Sequence, residues 1–372
     1  MAIGTHRKTV AYIDKKAIST NVQQELKRLN KNVVLYAVVK ANGYGHGAVE
    51  VAEAAKKGGA SGFCVAILDE ALELREAGFI EPILIMGLVD AVYADLIALN
   101  KLSVAVSSLD WLEQASEVVK NNGCEEKLLV HIALDTGMGR IGIRTAEELQ
   151  EVEQWMNKSE TIFFEGIFTH FATADSPDQG QFKEQTEKFN ALVASLPCKP
   201  PFIHTANSAT ALWHESCSSN MIRFGIAMYG LNPSGGILKE PYELLPAMRI
   251  SSEVSYVKQM KSGDKIGYGA TYSAKEGEWV GTVPIGYADG WRRDLQGQEV
   301  LVDGKRCEII GRICMDQCMI RLPYKVEEGT EVTLVGENKR EKISLQDIAN
   351  HLGTIHYEIA CGLSARVPRI YS

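Results

Sequence analysis

The first two-thirds of the chain alternates short apolar runs with amphipathic runs. The apolar runs are rich in Val, Ile and Leu on both faces, which is typical of strands in a covered parallel sheet. The amphipathic runs have a helical period. Ile18, Val22 and Leu26 share one face, and another run begins with a capping pattern at 145–148. The predicted strands are 33–39, 62–67, 83–86, 102–106, 128–134, 162–169, 202–205 and 221–224.

Eight strand–helix repeats in this length predict an α/β fold, a (β/α)8 barrel of the TIM type. A doubly wound open sheet gives the same alternation and is the alternative. After residue 243 the pattern changes to strands separated by Gly-rich turns, and only 345–352 has a helical pattern. We therefore predict a barrel over 1–243 and a mostly β C-terminal domain over 244–372. Its predicted strands are 249–257, 281–285, 299–302, 307–313 and 331–335.

Composition narrows the class of protein. The chain is 45% hydrophobic and 23% charged, as ordinary globular proteins are, and its net charge of −8 without a basic cluster argues against a nucleic-acid partner. The most apolar stretch, 82–99, is interrupted by Asp90 and Asp95, so no membrane span is predicted. No apolar run follows the charged N-terminus, and the eight cysteines lack zinc-site or disulfide spacing. We expect a cytoplasmic protein without a metal site.

The first predicted strand ends in a lysine, Lys40, which is followed by Gly43, Gly45 and Gly47. Active sites of such barrels form where the strands end. A lysine that closes an apolar strand can be desolvated, which lowers its pKa and makes it a nucleophile for Schiff-base chemistry. The glycines let the backbone approach a bound group closely. A solvated, purely structural lysine is the alternative.

Other strand ends add a phosphate site and two arginines. Phosphate sites in such barrels commonly follow the seventh and eighth strands, where Ser208 and the amides of Gly225 and Ile226 would lie. Arg140 and Arg223 also belong to strand ends or the loops after them. Each arginine alone could form a structural ion pair. Together with the lysine and the phosphate site they favour a phosphorylated carbonyl cofactor.

The segment 37–47 resembles the cofactor-lysine signature of the alanine racemases. The similarity covers both predicted domains in order, through 135–142, 169–171, 204–209, 221–230, 267–272, 285–290, 311–317 and 356–358. The resemblance implies an isomerase that depends on pyridoxal phosphate and interconverts L- and D-alanine. It also implies that the product D-alanine supplies peptidoglycan.

The resemblance implies how the cofactor is held. Lys40 would bind it covalently, and Arg223 would face its pyridine nitrogen, where many other enzymes of this cofactor place an aspartate. Because an arginine does not protonate that nitrogen, carbanion character would stay near Cα, which suits racemisation. The residues that would hold the phosphate are Tyr44, Ser208, Gly225, Ile226 and Tyr357.

Racemisation needs proton carriers on both faces of Cα. Lys40 would serve one face and, by resemblance, Tyr268 the other. A tyrosine is a poor base at neutral pH. A chain Arg223–His170–Tyr268 would help, because Arg223 discourages protonation of His170 and leaves a neutral imidazole to accept from the phenol. The nearby Tyr272 is expected to be packing.

In the family, the tyrosine that corresponds to Tyr268 reaches the barrel of a second subunit, so a homodimer with shared active sites is implied. Met315 would come from the same partner and bind the substrate carboxylate through its backbone N–H. The alternative is that the Met315 side chain only packs in the hydrophobic core. Arg140 would hold the phenolic oxygen of the cofactor and approach that carboxylate. Tyr287 and Tyr357 resemble the residues that form a narrow entrance to the active site in the family. Such an entrance would favour a substrate whose side chain is as small as a methyl group.

One position departs from the family. Many alanine racemases carry a carbamylated lysine just before the motif 135–142, and the matching residue here is Ala133. Arg140 therefore loses an anionic partner. A chloride ion near Arg140 is one replacement, and ordered water with a neighbouring side chain is the other.

Other functions remain open at this point. A serine or broad-specificity racemase of the same fold is one, since a hydroxyl adds little discrimination. A barrel-type decarboxylase uses an acidic residue at the pyridine nitrogen, which Arg223 contradicts. A cofactor carrier would end after the barrel, and a cofactor-free aldolase would not need the phosphate site.

Overall fold

The computed structural model describes residues 2–214 and 219–372. The chain divides into two compact units. The barrel unit consists of Lys16–Gly43 and Ala48–Leu245. The C-terminal unit consists of Pro246–Ser372, the segment Tyr44–Gly47 and the N-terminal residues up to Lys15.

The strands of the barrel unit follow a first strand, β1 (Val10–Ile13), which belongs to the C-terminal unit. They are parallel and lie in sequential order from β2 to β8, with β9 on the other side of β2. Their bounds are β2 (Val34–Val38), β3 (Gly62–Val65), β4 (Ile83–Ile85), β5 (Ser103–Val106), β6 (Leu128–Ala133), β7 (Ile162–Phe168), β8 (Phe202–His204) and β9 (Met221–Phe224).

The barrel is nearly closed between β8 and β9. There the backbone N–H of Asn220 donates to the carbonyl of Ile203 at 3.1 Å, and that of Arg223 donates to the carbonyl of Ala206 at 2.9 Å. Sequential strand order with this closure is the arrangement of a (β/α)8 barrel and not of a doubly wound sheet, whose order reverses. The predicted fold class is confirmed.

Helices connect the strands of the barrel. The predicted start of one is confirmed, since Thr145 Oγ1 accepts a hydrogen bond from the Glu148 N–H at 3.2 Å, and Leu149, Val152 and Met156 are buried. The helices are α1 (Lys15–Arg28), α2 (Ala48–Gly58), α3 (Leu68–Glu76), α4 (Ala94–Leu99), α5 (Leu109–Asn121), α6 (Ala146–Met156), α7 (Gly180–Ala194) and α8 (Ser208–Trp213).

The C-terminal unit is mostly β, as predicted. Among its described residues, a seven-stranded sheet has the order β16-β15-β18-β10-β1-β20 with β19 on β18, and a three-stranded sheet has the order β11-β14-β17. The elements are β10 (Met248–Glu253), β11 (Tyr256–Gln259), β12 (Lys265–Ile266), β13 (Tyr272–Ser273), β14 (Trp279–Val283), β15 (Glu299–Val302), β16 (Lys305–Glu308), β17 (Cys318–Leu322), β18 (Glu331–Asn338), β19 (Glu341–Ile343), α9 (Leu345–Leu352), α10 (His356–Gly362) and β20 (Arg369–Tyr371).

Three predictions for this unit were wrong. The predicted strand 249–257 is two strands, because the chain crosses between sheets: Val254 N–H bonds Thr330 and Ser255 N–H bonds Thr282. The predicted strand 307–313 ends at Glu308, followed by an isolated bridge at Ile309. A second helix, α10, was missed because it is short and directly follows α9.

The N-terminal strand β1 pairs with strands of the C-terminal unit. The predicted barrel domain, 1–243, had included it. Ala11 lies opposite Ile250 of β10 on one side and Arg369 of β20 on the other. An apolar segment next to the barrel sequence does not reveal which sheet it joins. Across the described residues, no helix has both the length and the apolar character that crossing a bilayer requires.

Candidate active site

Lys40 follows β2 and the buried Val39, and the backbone then makes a left-handed turn. Ala41 and Asn42 both have φ of 52°, which is unfavourable for residues with a Cβ. Hydrogen bonds hold the turn: the Ala41 N–H donates to Glu70 at 2.6 Å, and Asn42 Oδ1 accepts from the Ala48 N–H at 3.0 Å. A strained turn fixed by its surroundings is typical of a functional site.

Arg223 is buried in β9, directly beside β2, where it pairs with Tyr36. Its guanidinium donates to His204 Nδ1 at 2.6 Å and to the Thr169 carbonyl at 2.9 Å. It also lies 5.4 Å from the ring centroid of Phe168. The side chain is therefore fixed in position at the barrel interior.

His170 lies just beyond β7 and is surrounded by positive charge. Burial first, and then the charges of Arg223, Arg140 and Lys40, lower the pKa of His170 to about 3. The imidazole is therefore neutral at pH 7. Arg223 acts on His170 through its charge, since in the described part of the chain its guanidinium bonds His204 and not His170.

Ser208 and the chain after β9 meet at the same end of the barrel. Ser208 is buried at the start of α8, which Asn207 caps by accepting from the Thr210 N–H at 2.9 Å. Ser208 Oγ accepts from the Gly225 N–H at 2.8 Å. Ile226 begins a single 3-10 turn, Ile226–Tyr229. A hydroxyl and the N–H groups at the start of a helical turn suit an anionic oxygen.

The Arg140 loop is built on Asp135 and two glycines. Asp135 Oδ1 accepts from the N–H groups of Gly137 at 3.1 Å and Gly139 at 2.9 Å. The Arg140 side chain is exposed and makes no hydrogen bond or ion pair within the described ranges. Ala133 is buried in an apolar cluster with Ala105, Phe168 and Ile141. Its methyl group is therefore surrounded by apolar side chains and shielded from solvent.

Two of the predicted tyrosines meet within the C-terminal unit. The ring centroids of Tyr44 and Tyr357 lie 6.2 Å apart. The approach depends on Gly45 at φ 78°, where an added Cβ would lie 2.1 Å from the Ala360 carbonyl of α10. Arg369 reinforces it by donating to the Gly45 carbonyl at 2.9 Å.

Tyr287 and Met315 are also brought together within this unit. The Tyr287 N–H donates to the Cys314 carbonyl at 3.1 Å, and a Cβ on Gly286 would lie 2.4 Å from the Met315 carbonyl. The Met315 side chain is 53% exposed, so it does not fill the core.

Tyr268 lies in a short turn, Tyr268–Ala270, and is 67% exposed. The preceding Gly267 packs against Arg312, where an added Cβ would lie 3.1 Å from the backbone nitrogen. Tyr272, in contrast, packs beside Ile266 and donates to Glu278 at 2.6 Å, as expected of a packing residue.

Sequence reasoning missed His204, which holds Arg223, and its neighbours His131 and Glu165. All three interrupt apolar runs that were predicted as strands. A polar residue inside an apolar strand is the feature of the sequence that could have identified them.

Comparison with known proteins identifies the family. Residues 13–233 match the alanine racemase N-terminal domain, and residues 247–371 match the alanine racemase C-terminal domain. An alanine racemase of Lactiplantibacillus plantarum is 54% identical over 100% of this chain and 99% of its own length.

Solved structures agree with this match. The alanine racemase from E. faecalis superposes with a TM-score of 0.98 at 54% identity, covering 100% of both chains. A histidine racemase from Leuconostoc mesenteroides subsp. sake superposes with a TM-score of 0.93 at 34% identity, over 100% of this chain and 99% of that one. With both domain models, full-length relatives and the fold all matching, this chain belongs to the alanine racemase family.

Proposed function

We propose that this protein interconverts L- and D-alanine with pyridoxal phosphate as its cofactor. The observation that carries the proposal is Lys40, on a hydrogen-bonded turn at the end of β2, the strand that pairs with β9 and its buried Arg223. The members of the family are pyridoxal-phosphate-dependent racemases, and relatives that are 54% identical are named alanine racemase.

The barrel residues suit this cofactor. Pyridoxal phosphate supplies an electrophilic carbonyl and a ring that accepts electrons from Cα. Lys40 would bind the carbonyl, and Ser208, Gly225 and Ile226 would hold the phosphate. Because the positive charges of Lys40, Arg140 and Arg223 all act on His170, this end of the barrel is electropositive and attracts a phosphate dianion. In the C-terminal unit, Tyr44 and Tyr357 would be further phosphate ligands.

Two side chains move the proton at Cα. Lys40 serves the D-alanine face and Tyr268 the L-alanine face. A phenol needs an acceptor to act as a base near pH 7. The neutral imidazole of His170 would accept a hydrogen bond from that phenol, since its lowered pKa keeps a lone pair available. Arg223 would stay charged and would not protonate the pyridine nitrogen of the cofactor, so negative charge would remain near Cα.

Tyr268 acts in a second copy of this chain. Its side chain is mostly exposed, as is that of Met315, so both are available to a partner. In a head-to-tail homodimer each C-terminal unit would supply these residues to the partner's barrel. The Met315 N–H and Arg140 would then hold the substrate carboxylate.

Alanine is the proposed substrate because Tyr287 and Tyr357 would narrow the entrance. The histidine racemase among the structural relatives shows that this fold also serves a larger substrate. A serine or broad-specificity racemase is therefore the second candidate. A barrel-type decarboxylase is disfavoured, since Arg223 stands where an acid is needed.

We also propose a small anion, such as chloride, beside Arg140. Two features support it: the exposed Arg140 guanidinium, which has no hydrogen-bond or ion-pair partner among the described residues, and the buried Ala133, which has no group to carry a carbamate. Because Ala133 packs among apolar side chains, the proposed anion would lie next to the guanidinium and not in the position of the family's carbamylated lysine. A bromide-soaked crystal should give an anomalous peak there, and its absence would leave ordered water as the answer.

We propose that the protein acts in the cytoplasm and that the D-alanine it forms is used for peptidoglycan.

The function itself is tested by incubating the purified protein and pyridoxal phosphate with L-alanine, L-serine or L-histidine separately. Chiral chromatography should show D-alanine approaching an equal mixture with L-alanine, and much slower formation of the other D-isomers. Faster conversion of serine or histidine would favour the second candidate, and carbon dioxide release would favour a decarboxylase.

A further inference from the structure

Four polar side chains form a line through the barrel interior, where apolar layers are the rule. The Arg223 guanidinium lies 2.6 Å from Nδ1 of His204. Nε2 of His204 lies 2.7 Å from Nδ1 of His131. Nε2 of His131 lies 2.9 Å from a carboxylate oxygen of Glu165. We call Arg223, His204, His131 and Glu165 the polar line.

The backbone is adapted to this line. In the pairing of β6 with β7, Val130 lies opposite Phe164 but His131 lies opposite Gly166, so Glu165 is an extra, bulged residue. Bulges re-aim side chains and are common near active sites. The next residue, Gly166, leaves room for an imidazole, because a Cβ there would lie 2.4 Å from Nδ1 of His131. Both features place Glu165 and His131 in contact.

The direction of every hydrogen bond in the line follows from Arg223. A guanidinium only donates, so Nδ1 of His204 accepts. A neutral His204 then carries its proton on Nε2 and donates to His131. His131 in turn carries its proton on Nε2 and donates to the Glu165 carboxylate. Each donor therefore meets an acceptor from one end of the line to the other.

The protonation states agree with this direction. Burial, followed by the charge of Arg223, lowers the pKa of His204 well below its usual value, so the ring is neutral. Burial would raise the pKa of Glu165, but the hydrogen bonds from His131 and Ser103 lower it overall. Glu165 is therefore a carboxylate at neutral pH.

The polar line also gives the buried Arg223 cation a negatively charged residue, Glu165, at its other end. Among the described residues, the hydrogen bonds of the Arg223 guanidinium all go to uncharged acceptors, namely the His204 ring and the carbonyls of Thr169, His204 and Thr205. A buried charge without compensation is costly. Glu165 supplies the negative charge at the far end of the polar line.

We propose that Glu165 is a positioning residue for Arg223. It acts through His131 and His204: by fixing the side on which His204 carries its proton, it keeps an acceptor facing the guanidinium. Its charge offsets the buried positive charge and holds Arg223 in one pose. The functional consequence rests on the proposed function, in which Arg223 faces the pyridine nitrogen.

The line is tested by the ring ¹⁵N spectrum of histidine-labelled, full-length protein at pH 7, with and without pyridoxal phosphate. His131 and His204 should both be neutral and protonated on Nε2. The measurement needs no racemase activity, so it stands even if the proposed function fails. A His204 that is protonated on Nδ1, or on both nitrogens, overturns the proposal whether or not any variant folds.

The role of Glu165 is tested by Glu165→Gln, which keeps the shape and removes the charge. The two ¹⁵N shifts of His204 should move toward each other as the tautomer preference weakens. The kcat should fall about tenfold with little change in KM, because the interaction supports the transition state more than binding. Glu25→Gln is the matched control: Glu25 is also buried in the barrel unit but bonds Arg28 and Tyr242.

The outcomes separate a positioning role from a packing role. The control should leave the His204 resonances and kcat unchanged. If Glu165→Gln folds and also leaves the His204 resonances where they were, Glu165 does not act through the line. Equal effects of both substitutions on kcat would likewise mean a general loss of stability and would overturn the proposal.

Discussion

Buried neutral histidines make the stability of this protein sensitive to acid. Burial lowers the pKa of His356 to about 4, and its Nδ1 lies 2.6 Å from Gln346 Oε1. In the unfolded chain a histidine takes up a proton below about pH 6.5. Between about pH 6.5 and 4 the unfolded state therefore binds a proton that the folded state does not, so stability falls as the pH falls.

We predict that His356→Gln lessens this loss. The free energy of unfolding of the original protein should fall between pH 7 and 5.5 by roughly 1 kcal/mol from this residue, and the variant should lack that part. Urea denaturation at the two pH values measures it. His351→Gln, at an exposed position nearby, is the control and should show the full drop. Equal drops in all three proteins would mean that His356 is not kept neutral by folding.

For single residues, the sequence predicts which functional side chains lie at strand ends, but not which side chains contact each other across neighbouring strands. Lys40 could be found because a barrel exposes the chain that follows each strand, and Arg223 because it lies next to the end of β9. The contact of His131 with Glu165 could not, because it depends on a bulge in β7 that changes which residues face each other. The electrostatic effect on His170 was inferred correctly, but the hydrogen-bond partner of Arg223 was not.

The loop that carries Arg140 depends on one of its glycines more than on another. Gly142 has φ of 128°, and a Cβ there would lie 2.4 Å from the Asp135 nitrogen. Gly139 has φ of 70° with nothing within 4 Å of an added Cβ. The two positions therefore share an unfavourable backbone conformation for alanine but differ in space.

We predict that Gly139→Ala costs about 1 kcal/mol, the cost of a left-handed backbone, with little loss of activity. Gly142→Ala should cost more in stability and should raise the KM for alanine, because the loop must shift and Arg140 with it. Thermal melting and steady-state kinetics measure both effects. Similar KM values for the two variants would show that the loop absorbs the added methyl group.

Among the elements, the barrel strands were predictable and part of the C-terminal unit was not. Strands that are apolar on both faces between amphipathic helices have one common arrangement. The short strands β10 and β11 belong to different sheets, and no proline or glycine marks the crossing at Val254 and Ser255. Only tertiary hydrogen bonds specify that break.

The proposed active site is shared between two copies of the chain. Lys40→Ala and Tyr268→Phe should each be nearly inactive alone. When they are mixed and allowed to exchange subunits, one site of each mixed dimer has both residues intact. Activity should then return to about a quarter of that of the original protein, since random exchange makes half of the dimers mixed. No recovery, with exchange verified by native mass spectrometry, would mean that each chain builds its own site.

Chemical labelling of the lysine at the end of β2 tests whether Lys40 carries the cofactor. The purified protein is incubated with pyridoxal phosphate, reduced with borohydride to make the covalent link permanent, and digested for peptide mapping. We predict one modified lysine, Lys40, in the peptide that contains the left-handed turn, and no label in a Lys40→Ala variant. A label on another lysine, or none on a protein that binds the cofactor, would contradict the account.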